Sequence, residues 1–366
     1  MPLRKYFAVL ALPFLCLYFP STAEAQTAYT IQDIGLVNPL TAQVVGLNNY
    51  GEITTTGARG GGIIYSHGLI QKLDGVFVGN INDNGQIPIS RYSNGQASLF
   101  DSRTENTQVV GPPLPILTSA NAVNQNGDVA GTITVQSQPT VIKNAALFRS
   151  GQTIDLGSLS GGMGSNATAL NERGEVTGYG TVASGDNHAF LYSGGFMRDL
   201  GTLPGFTSSE ATSINNKGYI VGSSSVANEL GFADSHAFLY QNGVMQDLGT
   251  FGGRSSDALG INDSGVVVGS AQMPGNDGLG PSAPFVYRSG IMRNLFDLVP
   301  DTLSWSFGGA GAINDRGQIA GVAYHNGQRV LFLATPTAVP EPGAVALFAT
   351  GLLIFNGWMR RRVRAT

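Results

Sequence analysis

One short pattern recurs through this chain at a spacing that few folds can accommodate: an apolar residue, an asparagine, two further residues and a glycine. Its seven copies are Leu47-Asn48 with Gly51, Ile81-Asn82 with Gly85, Val123-Asn124 with Gly127, Leu170-Asn171 with Gly174, Ile214-Asn215 with Gly218, Ile261-Asn262 with Gly265 and Ile313-Asn314 with Gly317. From asparagine to asparagine the steps are 34, 42, 47, 44, 47 and 52 residues. A mean step of about 44 residues suits repeats built from one four-stranded sheet. Asparagine and glycine tolerate the left-handed backbone of tight turns. Each copy therefore reads as a hairpin, with an apolar strand before it and a strand such as Glu175-Val176-Thr177-Gly178 after it. Asn82-Asp83-Asn84-Gly85 also looks like part of a calcium loop. It lacks the regular oxygen ligands further on and the closing Glu, which favours the turn.

Two more signals travel with the first. An aromatic run follows each hairpin: Ile63-Ile64-Tyr65, Ala97-Ser98-Leu99-Phe100, Ala145-Ala146-Leu147-Phe148, His188-Ala189-Phe190-Leu191-Tyr192, His236-Ala237-Phe238-Leu239-Tyr240, Pro284-Phe285-Val286-Tyr287 and Val330-Leu331-Phe332-Leu333. These runs are apolar on both alternating faces, as in a strand covered on both sides. A fourth strand follows at 153–156, 197–200, 245–248 and 292–295, with weaker copies at 70–73 and 107–110. The last unit stops after its aromatic strand, whereas residues 29–35 (Tyr-Thr-Ile-Gln-Asp-Ile-Gly) match Val244-Met245-Gln246-Asp247-Leu248-Gly249. The missing strand stands at the other end of the chain. A closed ring accounts for this phase, because the N-terminal strand would complete the last sheet and remove an exposed edge. The expectation is an all-β, seven-bladed β-propeller with four-stranded blades, the last closed by the N-terminal strand. An open β-solenoid is the alternative, and it would need caps.

Both termini carry addresses. Arg4 and Lys5, the apolar stretch 6–19 and Ala23-Glu24-Ala25 make a secretory signal for signal peptidase, with the mature chain starting at Gln26. The only cysteine, Cys16, lies inside that stretch after Leu15, where a lipoprotein box needs a small residue. The mature chain therefore offers no disulfide or thiolate metal site. At the other end come Val339-Pro340-Glu341-Pro342, an apolar stretch 343–359 and then Arg360, Arg361, Arg362 and Arg364. As a helix this stretch would span about 26 Å, at the short limit for crossing a bilayer, with the arginines on the cytoplasmic side. The expected division is 1–25 signal peptide, 26–335 propeller and 336–366 sorting segment with an apolar helix.

Three features in fixed order at the extreme C-terminus resemble the PEP-CTERM sorting signal of Gram-negative bacteria. That resemblance implies recognition by an exosortase-type membrane protease and processing near Pro340-Glu341-Pro342. The chain would be held in the inner membrane before processing, then reach the outer envelope or the exterior. Residues 188–269 resemble the HAF extracellular repeat family, through His-Ala-Phe-Leu-Tyr, Met-x-Asp-Leu-Gly-Thr, Gly252-Gly253 and the Asn-x-x-Gly turn. This family implies an exported repeat protein and brings no defined activity.

The formal net charge is −4, and setting the two ends aside leaves 14 basic against 22 acidic residues. So acidic a domain is a poor partner for nucleic acid. His188 and His236 hold equivalent places, as do Asp155, Asp199 and Asp247. Recurrence repeat by repeat favours structural hydrogen bonding, since an active site is usually built once. His67 and His325 read as turn residues. The sequence contains no nucleophile elbow, phosphate loop or zinc spacing. The expectation is a non-enzymatic envelope or matrix protein, without metal or cofactor, binding exopolysaccharide or a surface protein. The alternative is an exported propeller hydrolase or lyase acting on polysaccharide. Carboxylates or histidines at the mouth of a central channel would favour the alternative, and exposed aromatics and asparagines the first.

Overall fold

The computed structural model describes residues 27–36, 43–57, 61–91, 95–112, 118–136, 140–227, 233–275, 280–300 and 304–337. Their strands form seven four-stranded antiparallel sheets, and the fold is a seven-bladed β-propeller. In the first blade, Gln43–Leu47 runs innermost into Asn48, Ile53–Thr56 leaves Gly51, Gly61–Ser66 carries the apolar run and Leu69–Asp74 is outermost. Five further blades repeat this order within continuous chain. In the seventh sheet, Trp305–Ile313, Ile319–His325 and Gln328–Thr337 are joined by Ala28–Leu36, which pairs antiparallel to Gln328–Thr337 from Ala28↔Thr337 to Leu36↔Val330. That last strand runs two residues past the expected domain end at 335. All these strands belong to one compact unit, Ala28–Thr337.

Sheet sides are dictated by one repeated pair. The second strand of blades four to seven carries a glycine, and the third strand places a phenylalanine directly opposite: Gly178↔Phe190, Gly222↔Phe238, Gly269↔Phe285 and Gly321↔Phe332. Those four phenylalanines are the largest fully buried side chains. A methyl group on Gly269 would run into the Asp257 carbonyl oxygen of the inner strand and into the Phe285 ring. The glycine is thus required by close approach, and each buried ring contributes roughly 1.5–3 kcal/mol by leaving water.

Packing between blades divides the core into seven clusters, each spanning two adjacent sheets. One of them joins the last sheet to the first, with Ala312, Ala320, Val322, Leu331 and Leu333 against Val44, Leu47 and Ile53. Blade six departs from the repeat. Its outer strand ends at Asn294, and Leu295–Leu298 turn into a 3-10 segment whose Leu295, Phe296 and Leu298 are buried against blade seven. The strand expected at 292–295 stops one residue early, as does the one expected at 197–200, and in blade six Asn294-Leu295-Phe296 stands where other blades have Asp-Leu-Gly.

Candidate functional site

The seven repeat asparagines lie 2–5 % exposed. Each glycine three residues on has positive φ, between 73° and 84°. The asparagines themselves do not, so the backbone reason for their presence needs correction: the side chain carries the role. Oδ1 accepts from the backbone N–H four residues on in all seven copies, as Glu52 N to Asn48 at 3.0 Å and Val266 N to Asn262 at 3.0 Å. Nδ2 donates to the backbone carbonyl of the next blade's asparagine. The bonds run Asn48→Asn82 at 3.1 Å, Asn82→Asn124 at 2.8 Å, Asn124→Asn171 at 3.3 Å and Asn171→Asn215 at 3.1 Å. They continue Asn215→Asn262 at 2.9 Å, Asn262→Asn314 at 3.1 Å and Asn314→Asn48 at 2.9 Å, closing a circle.

A second circle lies beside it. The residue after each asparagine donates its N–H to the side-chain oxygen of the same position in the next blade: Asn49 to Asp83 at 2.7 Å, Asp83 to Gln125 at 3.0 Å and Gln125 to Glu172 at 3.0 Å. Glu172 donates to Asn216 at 2.9 Å, Asn216 to Asp263 at 2.8 Å, Asp263 to Asp315 at 2.8 Å and Asp315 to Asn49 at 3.1 Å. All seven are Asn, Asp, Gln or Glu. That recurrence is readable in the sequence, one place after each repeat asparagine. Four carboxylates result, and Glu172 sits above the ordinary carboxylate range, first through burial and then through Asp128, Asp263 and Asp83. Asn82-Asp83-Asn84-Gly85, the calcium-like stretch, is a turn closed by Gly85 N to Asn82 O at 3.1 Å. Among the described residues no group of three or more His, Asp or Glu is placed to hold a metal ion.

The recurring histidines and aspartates clip strands together. His188 Nδ1 lies 2.9 Å from Asp199 Oδ2, and His236 Nδ1 2.8 Å from Asp247 Oδ2. Where Asn144 replaces the histidine, its Nδ2 reaches Asp155 at 2.9 Å. The same aspartates accept from the glycine two residues on, at 2.8 Å for Gly157, 2.7 Å for Gly201 and 2.7 Å for Gly249. Asp33 takes Gly35 N at 2.8 Å and His325 Nδ1 at 2.7 Å. His325 is thus the last residue of a strand, with its ring stacked on Trp305 at 4.4 Å, and the turn proper is Asn326-Gly327. His67 does sit in a turn, with φ 50°.

Inside the ring of inner strands lies a cavity of about 1090 Å³. Its wall stops at Leu47, Ile81, Ile261 and Ile313, each just before a repeat asparagine. The opposite end is lined by Gln43, Phe77, Ser119, Phe307, Tyr324 and Arg329. The wall is two-sided because inner strands carry a bulge three residues before the asparagine. In blades three to five the bulged residue is polar and bonds the next inner strand: Asn121 Nδ2 to Ala167 O at 2.7 Å, Thr168 Oγ1 to Ala211 O at 2.8 Å and Thr212 Oγ1 to Ala258 O at 2.7 Å. In blades six, seven and one it is Leu259, Gly311 or Val45. Phe307 has φ 37° and is 51 % exposed. The other non-glycine residues with positive φ lie outside the strands, whereas Phe307 stands inside one, at a register shift between Ser306 and Gly308. Holding a bulky residue there costs about 1–3 kcal/mol. No motif in the sequence announces it.

Two carboxylates stand at one register, five residues before the asparagines of blades five and six: Glu210 and Asp257. Asn187 Nδ2 donates to Glu210 at 3.1 Å. Burial pushes the Asp257 carboxyl up, opposed by hydrogen bonds from Ser223 and Ser235. Neither residue was singled out from sequence, since a carboxylate occupies this register in only two blades. The expected processing residues Val339, Pro340, Glu341, Pro342, Arg360, Arg361 and Arg362, and the signal segment 1–25, lie outside the described residues. So does the expected apolar helix; among the described residues no helix is long and apolar enough to cross a membrane.

No protein-family model and no curated protein matches this sequence. Solved structures share its fold. The β-propeller domain of the Trilobed protease from Pyrococcus furiosus superposes with a TM-score of 0.51 at 9 % identity, covering 84 % of this chain and 98 % of that one. A streptogramin B lyase gives 0.51 at 11 % identity over 86 % and 100 %. YCF48 from Cyanidioschyzon merolae gives 0.50 at 10 % over 84 % and 98 %. At these identities the likeness establishes the propeller and nothing about chemistry.

Proposed function

We propose that this chain is an exported, exosortase-sorted repeat protein of the cell envelope or extracellular matrix, whose propeller binds polysaccharide or protein without catalysing a reaction. One observation carries this reading: His188, His236 and His325 with Asp33, Asp155, Asp199 and Asp247 repeat the same strand-clipping bonds, and Asp83, Asp263 and Asp315 the same ring bonds, so the chemistry of these residues is committed to the scaffold. Supporting it are the signal segment at 1–25 and the sequence Val339-Pro340-Glu341-Pro342, apolar stretch, Arg360-Arg361-Arg362. Signal peptidase and an exosortase-type protease are the processing partners. The strand Ala28–Leu36 is, in this reading, the device that closes the ring before release. Proline at 340 and 342 denies backbone donors and keeps the segment extended for a membrane protease. Replacing Pro340, Glu341 and Pro342 by alanine should leave a full-length, membrane-held form. Mass spectrometry of the mature C-terminus checks this, and Arg360 to Thr366 still attached in the wild-type product would overturn it.

The second reading, a polysaccharide hydrolase or lyase, rests on Glu210 and the raised Asp257. Loss of chain cleavage on Asp257→Asn in an enzyme-active preparation would establish it.

A further inference from the structure

We infer that the central cavity, entered from the end away from the asparagine circle, is a binding site for an unbranched chain of equatorially substituted pyranose rings. The inference rests on the binding reading given above and names its ligand class. Such rings are amphipathic in a particular way: their flat faces carry C–H groups and their edges carry hydroxyls. A site for them needs an aromatic platform on one side and amide or hydroxyl groups on the other. The cavity supplies both. Phe77, Phe307 and Tyr324 line this end and remain 40 %, 51 % and 41 % exposed, although aromatic rings gain most from burial. Deeper along the wall, toward the asparagines, Val45 and Leu259 continue the apolar side and Asn121, Thr168, Thr212 and Ser213 form the polar side, with Ser119 nearer the aromatic end. A volume of about 1090 Å³ is ample for two or more sugar units.

Phe307 is the residue that most directly points to a ligand. Glycine would relieve its positive φ, and glycine is the residue that follows it. An aromatic ring held in strain and left half in solvent contributes little to the fold, which is the pattern of a group kept for contact with a ligand. The polar arc is already positioned, because Asn121, Thr168 and Thr212 spend their donors on neighbouring strands and keep side-chain oxygens that can accept from a sugar hydroxyl. Arg329, on the same wall, would add a charge-assisted bond to a ring hydroxyl.

The experiment titrates the full-length chain in detergent with cellohexaose by isothermal calorimetry, alongside Phe307→Gly and Tyr324→Ala. Binding to the wild type is expected, weakened at least tenfold in Phe307→Gly while that variant melts at or above the wild-type temperature. No binding to the wild type, or unchanged affinity in both variants, would overturn the site. Product analysis of the same mixtures separates the two claims: shortened oligosaccharides would uphold the site and overturn the non-catalytic reading.

Discussion

At the scale of single residues, the repeat asparagine uses nearly all its hydrogen-bonding capacity, accepting at Oδ1 within its own turn and donating from Nδ2 to the next blade. Aspartate offers the same acceptor and no donor. Asn262→Asp would place a carboxylate against the Asn314 carbonyl, now 3.1 Å from Nδ2. The cost should be about 2–3 kcal/mol in chemical denaturation, since a buried acceptor loses its partner and a charge is added. The asparagine was legible as a turn marker; its role was not, because the partner carbonyl lies 34 to 52 residues along the chain, or 266 across the closing joint. In the second circle, Glu172 has its carboxyl raised. A raised folded-state value means the ionised form is penalised by folding. Stability is greatest below the ordinary carboxylate range and falls as pH rises through the raised value. Glu172→Gln keeps the oxygen that Gln125 N–H needs, as Gln125 itself does for Asp83. Unfolding midpoints of the two proteins should coincide near pH 4, with the variant slightly ahead at pH 7; the solvent contact of Glu172 keeps the gain small.

At the scale of strands and turns, two kinds of glycine separate. Gly265, at φ 84° with open space around its Cα, should cost about 1 kcal/mol on replacement by alanine, from backbone strain alone. Gly269→Ala should cost about 2–3 kcal/mol, because a backbone carbonyl and the Phe285 ring must both move. Thermal unfolding of the two variants checks the order; equal losses would remove the close-approach argument. Four strands per repeat were readable, since apolar runs and turn glycines alternate in fixed order from unit to unit. The 3-10 turn at Leu295–Leu298 was not, because four residues with three apolar members fit a strand end as well as a turn. The cavity site was least legible. Phe307 lies in no repeated motif, and its strain is imposed by the surrounding bulge rather than by its neighbours in sequence.

At the scale of the whole molecule, three circular features cross the joint between the last blade and the first. They are the Asn314→Asn48 bond at 2.9 Å, the Asp315→Asn49 bond at 3.1 Å and the apolar cluster of Val44, Leu47 and Ile53 with Leu331 and Leu333. A fourth tie links the two ends of the described chain within blade seven, where Asp33 meets His325 at 2.7 Å. In a linear array of repeats, losing one terminal strand frays one end and leaves the rest standing. In a closed ring the same loss opens blade seven, which both of its neighbours pack against, and stability falls throughout. The measurement that separates these cases is thermal unfolding of the chain with residues 26–37 deleted, followed by circular dichroism beside the intact chain. A single transition for all strands at a clearly lower temperature is the predicted result. A transition that coincides with that of the intact chain would contradict closure by the N-terminal strand.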